Sequence, residues 1–312
     1  MPDPRLIVPE SLTELEREDI VKYFKNIPEA ERMETNHFDF VRQKKPTWFV
    51  KYGDSDLLDE ASTQSFFYTL AQEDGSAPRI PAVYSVFRGE GYYFFVMEKI
   101  DMPTLETCDI PETDAVQHVA SAVRWLLDQM PLVPKTIFGR ISVRNTRVWH
   151  RFFKQHEAPV PFVSSEAVSK YVNKALSRRP GQGTISLSDD LAIYHSDIYK
   201  RNFLYDVSNV TPRRICIVDF QHIGVLPKPF QAYGFFNIGS SLAADVGNYL
   251  GYQPSDIAGA LMQASGLLQR CAGMASLGLN ELGERGGLGS ARILPPSDSP
   301  NRYYSTLQPE LV

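Results

Sequence analysis

Cysteine is scarce in this chain: three among 312 residues, at Cys108, Cys216 and Cys271, far apart and odd in number. No CxxC pair or Cys/His spacing accompanies them, which argues against a zinc module or a disulfide scaffold and leaves buried reduced thiols as the expectation. Long apolar runs are missing as well. The densest, Tyr92 to Met97, falls far short of the ~18–20 residues that a membrane span requires. The opening MPDPRLIVPESLTELERED lacks a basic start followed by an apolar block, so no signal peptide is expected. Nor is there a basic excess: 32 Lys and Arg against 37 Asp and Glu give a formal charge of −5, which argues against a general nucleic-acid binder. Together these absences point to a soluble cytoplasmic protein that works with neither membrane nor nucleic acid.

Glycine is present but poorly placed for holding phosphate. The cluster GERGGLG at 283–289 follows no strand, opens no clear helix and lacks the Lys-Ser/Thr of a P-loop, so it reads as tail. What the chain does have is a hydrophobic share of 43%, enough for a real core, which excludes collagen-like and mostly disordered chains. With 18 Phe and 15 Tyr, aromatics reach 12%, in keeping with an aromatic core or a lined pocket. A chain of this length makes one large or two ordinary domains.

Periodicity divides the chain. Ser11 with Glu14 fits a capping box, and Leu12, Leu15, Ile20, Val21 and Phe24 follow at helical spacing. Residues 36–41 and 47–52 read as a hairpin around Gln43-Lys44-Lys45-Pro46, residues 56–72 as a helix, and 82–88 with 91–97 as a second hairpin. The first hundred residues are thus expected to form a small antiparallel sheet with one packed helix. Helices are expected over 113–130 and, N-capped at Ser164 or Ser165, over 164–178. Short strands follow at 191–194, 203–206 and 214–218, and the remainder reads as helical to about residue 273. The fold class is therefore α+β in two lobes, with residues 1–101 as the first, a mainly helical second over 102–275, and a loosely ordered tail over 276–312.

The segment that carries chemistry is IYHSDIYKRNFLYDVSNVTPRRICIVDFQ, residues 193–221. One strand delivers His195 and Asp197. Asn202 comes five positions after Asp197 and opens the next strand, and Asp219, seventeen further on, closes a third. Phosphoryl transfer to a hydroxyl calls for such a set. One carboxylate orients the attacking hydroxyl and accepts its proton, while an amide oxygen and a second carboxylate hold Mg²⁺ against the nucleotide phosphates. Singly, each residue fits a turn or a cap; their joint spacing between short strands favours the catalytic reading.

HSDIYKRN followed by IVDFQ resembles the core of the aminoglycoside phosphotransferase and choline kinase family, in particular its divergent fungal-type branch. The likeness continues upstream through WFVKYG (48–53), DEASTQSFFYTL (59–70), PRIPAVYSVF (78–87) and YYFFVMEKI (92–100), and covers roughly residues 35–240. It implies a two-lobed protein-kinase-like fold and an ATP- and Mg²⁺-dependent small-molecule kinase. On that resemblance Asp197 is the catalytic aspartate, and Asn202 and Asp219 are the metal ligands. Lys51 holds the α/β-phosphates, with Glu60 as its ion-pair partner. The backbone at Glu98 and Ile100 pairs with adenine, and His195 is structural. No metal role falls to His37, His118, His150, His156 or His222.

The sequence departs from the pattern in places. Ser196 stands where the family has glycine, and Tyr199 where protein kinases carry a lysine, a charge that Lys200 or Arg201 would have to supply. No glycine-rich loop lies between the first two strands, so any nucleotide cover falls to Arg32-Met33-Glu34-Thr35-Asn36. Residues 222–252 are rich in aromatics and poor in acids, with Asp245 alone. That disfavours a polycationic acceptor and favours an aromatic-lined pocket for a neutral or weakly polar hydroxyl compound, unless Phe230, Phe235 and Phe236 are simply core. The expected activity is phosphorylation of a hydroxyl on a small molecule. Its alternatives are a non-catalytic, pseudokinase-like binding protein and a kinase-like fold recruited to other biosynthetic chemistry. Acceptor identity and oligomeric state are not written in the sequence.

Overall fold

The computed structural model describes residues 3–42, 45–144, 146–181, 183–208, 215–270 and 275–285. The first long helix, α1 (Glu14–Asn26), begins two residues later than the Ser11/Glu14 pairing predicts. Thr13 is its N-cap: the Glu16 N–H donates to Thr13 Oγ1 at 3.3 Å, and the Thr13 N–H donates to Glu16 Oε2 at 3.0 Å. Ser11 instead donates its hydroxyl to the Tyr84 carbonyl at 2.8 Å, pinning the entry strap to the sheet. A short α2 (Glu29–Glu34) leads into β1 (His37–Phe40) and β2 (Trp48–Gly53).

Strand alternation decides where Lys51 goes. Trp48, Val50 and Tyr52 turn one way into a cluster with Ile20 and Phe24 of α1, so Lys51, one residue out of phase, turns to the opposite face. That face meets α3 (Asp56–Glu73), whose first turns bring Leu57 and Ala61 against it. The strands β3 (Val83–Gly89) and β4 (Tyr92–Glu98) complete an antiparallel sheet of order β1-β2-β4-β3, with Lys51 opposite Phe95.

Beyond the connection after β4, α4 (Glu112–Asp128) buries the stripe Val119, Val123 and Leu126. The short β5 (Gly139–Arg140) precedes α5 (Ser165–Leu176), which Ser164 caps by accepting the Ala167 N–H at 3.2 Å. A second sheet is built from β6 (Leu191–His195) and, across a hairpin of β7 (Phe203–Tyr205) with β8 (Ile215–Ile217), β9 (Ile223–Pro227), in the order β5-β9-β6. Neither β5 nor β9 shows as a strand in the periodicity. Then come α6 (Pro229–Phe236), α7 (Ser241–Tyr249) and α8 (Asp256–Arg270). The result is the two-lobed α+β arrangement expected. Phe230 and Phe235 are core, at 0% and 1% exposure.

Among the ties that cross between the lobes, two stand outside the candidate site. The segment before β3 joins the sheet of β8, with the Arg79 N–H on the Ile215 carbonyl at 2.9 Å and the Ile217 N–H on the Arg79 carbonyl at 3.0 Å. On the other side, Arg140 of β5 donates to Asp59 of α3 at 3.2 Å, both side chains buried, and the Ser142 hydroxyl donates to the same carboxylate at 2.7 Å. Of the segment from 276 onward, residues up to 285 are described. The Val163 N–H donates to the Glu281 carbonyl at 3.3 Å, and Gly283, at φ +69°, lies so close that a methyl there would sit 2.7 Å from the Ala167 carbonyl. Residues 286–312, with most of the glycine cluster, lie outside the described residues.

Candidate active site

Of the side chains singled out in the sequence, Lys51, Glu60, Asp197, Asn202 and Asp219 converge where β2, α3, β6 and β8 meet. Lys51 reaches from β2 to Glu60 on α3, Nζ to Oε1 2.6 Å, and to Asp219 after β8, Nζ to Oδ1 3.0 Å. One ammonium therefore faces two carboxylates. Burial disfavours its charge, but Asp219 and Glu60 outweigh burial and raise the Lys51 pKa. Burial in turn pushes Glu60 up despite Lys51, whereas Lys51 overcomes burial at Asp219 and holds it down. The trio keeps an excess of negative charge.

Asp219 adopts φ 64° and ψ 76°, left-handed backbone that a non-glycine residue occupies at a cost of about 1 kcal/mol or more. This conformation lies between β8 and the turn Phe220–His222, and Asp219 bonds Lys51 from it. The buried Phe220 side chain packs beside Phe67 of α3, ring centroids 6.0 Å apart.

Asp197 follows β6. Its Oδ2 accepts from Asn202 Nδ2 at 2.6 Å, and the same amide nitrogen donates to the Asp197 carbonyl at 2.8 Å. Only an NH₂ can donate to a carboxylate, so Asn202 Oδ1 points away from Asp197. Among the described residues no hydrogen bond claims that oxygen or Asp219 Oδ2. Two neutral or anionic oxygens beside an electron-rich trio are donors that suit a hard divalent cation. The residues present therefore fit Mg²⁺, which Asn202 and Asp219 would hold.

His195 is wholly buried, its Nδ1 accepting the Asp197 N–H at 3.3 Å, and burial takes it down to about 4. It shapes the loop, as a structural histidine would. Ser196 is buried beside His222, Oγ to Nδ1 3.3 Å. At the far end of β4, Glu98 pairs with Arg79 at 2.7 Å and accepts the Ala82 N–H at 3.2 Å, while Ile100 is buried. The Glu98 side chain is thus engaged structurally, and its N–H donates to the Ala82 carbonyl at 2.8 Å.

The residue that the motif reading missed is Arg151. Its Nε donates to Asp197 Oδ1 at 2.7 Å and its Nη2 bonds the same oxygen, while Arg201 approaches Oδ2 at 3.5 Å. Both guanidinium groups lie over the Tyr199 ring, at 4.7 and 4.6 Å from its centroid, and the Tyr199 hydroxyl donates to the Ile238 carbonyl at 2.6 Å. Lys200 turns outward to Glu112, so of the two cations considered for this place it is Arg201 that faces the site. Burial alone would raise the Asp197 carboxyl. The charges of His222, Arg151 and Arg201 outweigh burial and bring Asp197 to about 2; because burial holds His222 itself down to about 4, the two arginines supply the part of that effect that persists at neutral pH.

Arg151 is held by an irregular loop. His150 accepts the Phe152 N–H at Nδ1, 3.0 Å, and its Nε2–H donates to the Phe230 carbonyl, 3.1 Å; burial keeps the ring neutral, at about 3. Tyr194 donates to the Trp149 carbonyl at 2.9 Å and Ser265 to the Phe152 carbonyl at 2.8 Å, so the loop is fastened on both sides of Arg151. The alternation of basic and aromatic residues in RVWHRFF (147–153) is its only trace in the sequence.

No family model matches the chain, and no curated protein matches it. Among solved structures it is similar to the aminoglycoside phosphotransferase APH(4)-Ia in a complex with ADP and hygromycin B, at 14% identity and a TM-score of 0.45 over 81% of this chain and 90% of that one. A spectinomycin phosphotransferase with ADP and spectinomycin gives 14% and 0.43 over 84% and 87%. The phosphotransferase APH(3'')-Id of Streptomyces rimosus, with ADP and streptomycin, gives 12% and 0.43 over 80% and 98%. At such distances no residue's role is carried from one chain to the other.

Proposed function

We propose that the protein is an ATP- and Mg²⁺-dependent phosphotransferase acting on a hydroxyl of a small molecule. The observation that carries this reading is the chain of contacts from Lys51 through Glu60 and Asp219, beside an Asp197–Asn202 pair whose free amide oxygen faces away from the base. Mg²⁺ held by Asn202 and Asp219 would neutralise charge on the nucleotide phosphates. Lys51, positioned by Glu60, would bind the α/β-phosphates, and the backbone at Glu98 and Ile100 would take the adenine edge.

In the reaction the acceptor oxygen forms a bond to the γ-phosphorus, the bond from that phosphorus to the β–γ bridging oxygen breaks, and ADP leaves. The hydroxyl proton passes to Asp197. A carboxylate held near 2 is a weak base in the ground state. Its task is therefore to orient the hydroxyl and to accept the proton late, when the forming P–O bond has made it acidic.

Asp219→Ala is expected to abolish Mg²⁺-dependent ATP binding, measured by calorimetry, while the unfolding transition stays cooperative. Unchanged affinity would count directly against the assignment. One observation favours a binding protein without catalysis: Arg151 already occupies Asp197 Oδ1. That alternative predicts nucleotide binding with no release of ADP in the presence of any hydroxyl acceptor.

A further inference from the structure

We propose that the acceptor is an anionic hydroxyl compound, carrying a carboxylate or phosphate close to the hydroxyl that is phosphorylated. This rests on the phosphotransferase reading for the word acceptor, but the recognition element stands on its own geometry. Around Asp197 two guanidinium groups meet one carboxylate: Arg151 on Oδ1 and Arg201 on Oδ2. The other ionisable groups packed here do not cancel the surplus. His222 is held neutral by burial, His156 is shifted down by burial, and Lys200 is turned out to Glu112. Asp219 and Glu60 are engaged by Lys51 on the nucleotide side. The acceptor side of the base is therefore net cationic.

The two arginines are also held in place for a ligand. Both lie over a single ring, Tyr199, which is itself anchored to the Ile238 carbonyl at 2.6 Å. Stacking fixes a guanidinium plane while leaving its N–H edge available, and a planar fork of donors matches a carboxylate or phosphate bidentately. Arg201 has its side chain 51% exposed and spends only Nη2, at 3.5 Å, on Asp197, so most of its donors face outward. A polycation brought here would meet two positive charges beside the base. It would be repelled, in keeping with the scarcity of acids over 222–252.

Three primary alcohols on one ring separate the possibilities: para-hydroxyethylbenzoate, its benzamide and its benzylamine. Their binding to the full chain without nucleotide, followed by ligand-observed NMR, is expected to favour the benzoate by about tenfold over the amide, with the amine weakest. Arg201→Gln should remove that preference and Arg201→Lys should keep part of it, both with unchanged Tm, since Arg201 is half exposed. A preference for the amine, equal binding, no saturable binding of the benzoate, or a preference that survives Arg201→Gln overturns the inference. Failure of the phosphotransferase reading would show separately, as absent Mg²⁺-dependent ATP binding in the wild-type protein.

Discussion

Lys51 is the residue on which the proposed nucleotide site turns, and its position follows from a one-residue phase. Placed at 50 or 52 it would enter the aromatic cluster under α1; at 51 it crosses to Glu60. The Glu60 side chain is only 2% exposed, so its charge is tolerated because Lys51 answers it. Glu60→Gln keeps the shape and one acceptor but leaves Lys51 with Asp219 as its sole carboxylate. We expect stability to fall by about 1–3 kcal/mol in urea unfolding, and Mg²⁺–ATP affinity to weaken by about tenfold in calorimetry, as Lys51 shifts toward Asp219. A variant that binds nucleotide as well as the parent would show that Glu60 does not position Lys51. Asp197, by contrast, is governed by a residue that no motif names. Arg151 sits in a loop without helical or strand period, and its pairing with Asp197 is a product of tertiary packing through His150, Tyr194 and Ser265.

At the scale of elements, β2, β3, α4 and α5 were legible because each has one buried face and one wetter one, the condition under which a period appears; α3, buried at every position from Asp59 to Phe67, was legible by its length instead. The motif residues Asp197, Asn202 and Asp219 were legible for another reason, since they stand at fixed offsets in the turns that flank short strands. The strand β9 was not, for a physical reason: all five of its residues are buried, so IGVLP shows no alternation and merges with the apolar sequence after it. The Ser11 cap failed because serine found a better acceptor in the Tyr84 carbonyl while Thr13 with Glu16 closed the box two residues on. Gly224, inside β9, records how tightly the second sheet is closed. A methyl there would lie 2.4 Å from the Gly139 carbonyl and 2.7 Å from the Tyr194 hydroxyl oxygen, one of them immobile backbone. Gly224→Ala should therefore destabilise the protein by roughly 1–3 kcal/mol or more, as overpacking does, and loosen β5 from β9. Gly75→Ala is the control, because nothing lies within 4 Å of a methyl at that position. Equal denaturation midpoints for the two variants would show that the sheet yields without cost.

For the molecule as a whole, the buried histidines set a direction for stability against pH. Burial lowers His150 to about 3 and His195 and His222 to about 4, well under the ~6.5 of an exposed imidazole in the unfolded chain. Between those values the unfolded chain binds protons that the folded protein refuses. Stability therefore rises with pH through that window and is lost on acidification; above about 6.5 both states are neutral and the contribution is complete. Asp197, depressed from 3.8 to about 2, works in the same direction but only in stronger acid. Each fully buried histidine is worth on the order of 1 kcal/mol per pH unit inside the window. Lowering the pH from about 7.5 to about 5 at constant ionic strength should thus reduce Tm by roughly 5–10 °C for a chain of this size. The loss should begin near the pKa of free imidazole, before carboxylates titrate, because the three rings sit in the packed second lobe rather than on its surface. A Tm that stays level or rises over this range would mean that these rings take up protons in the folded protein, and with them that the packing around the Arg151 loop and β6 is looser than the distances indicate.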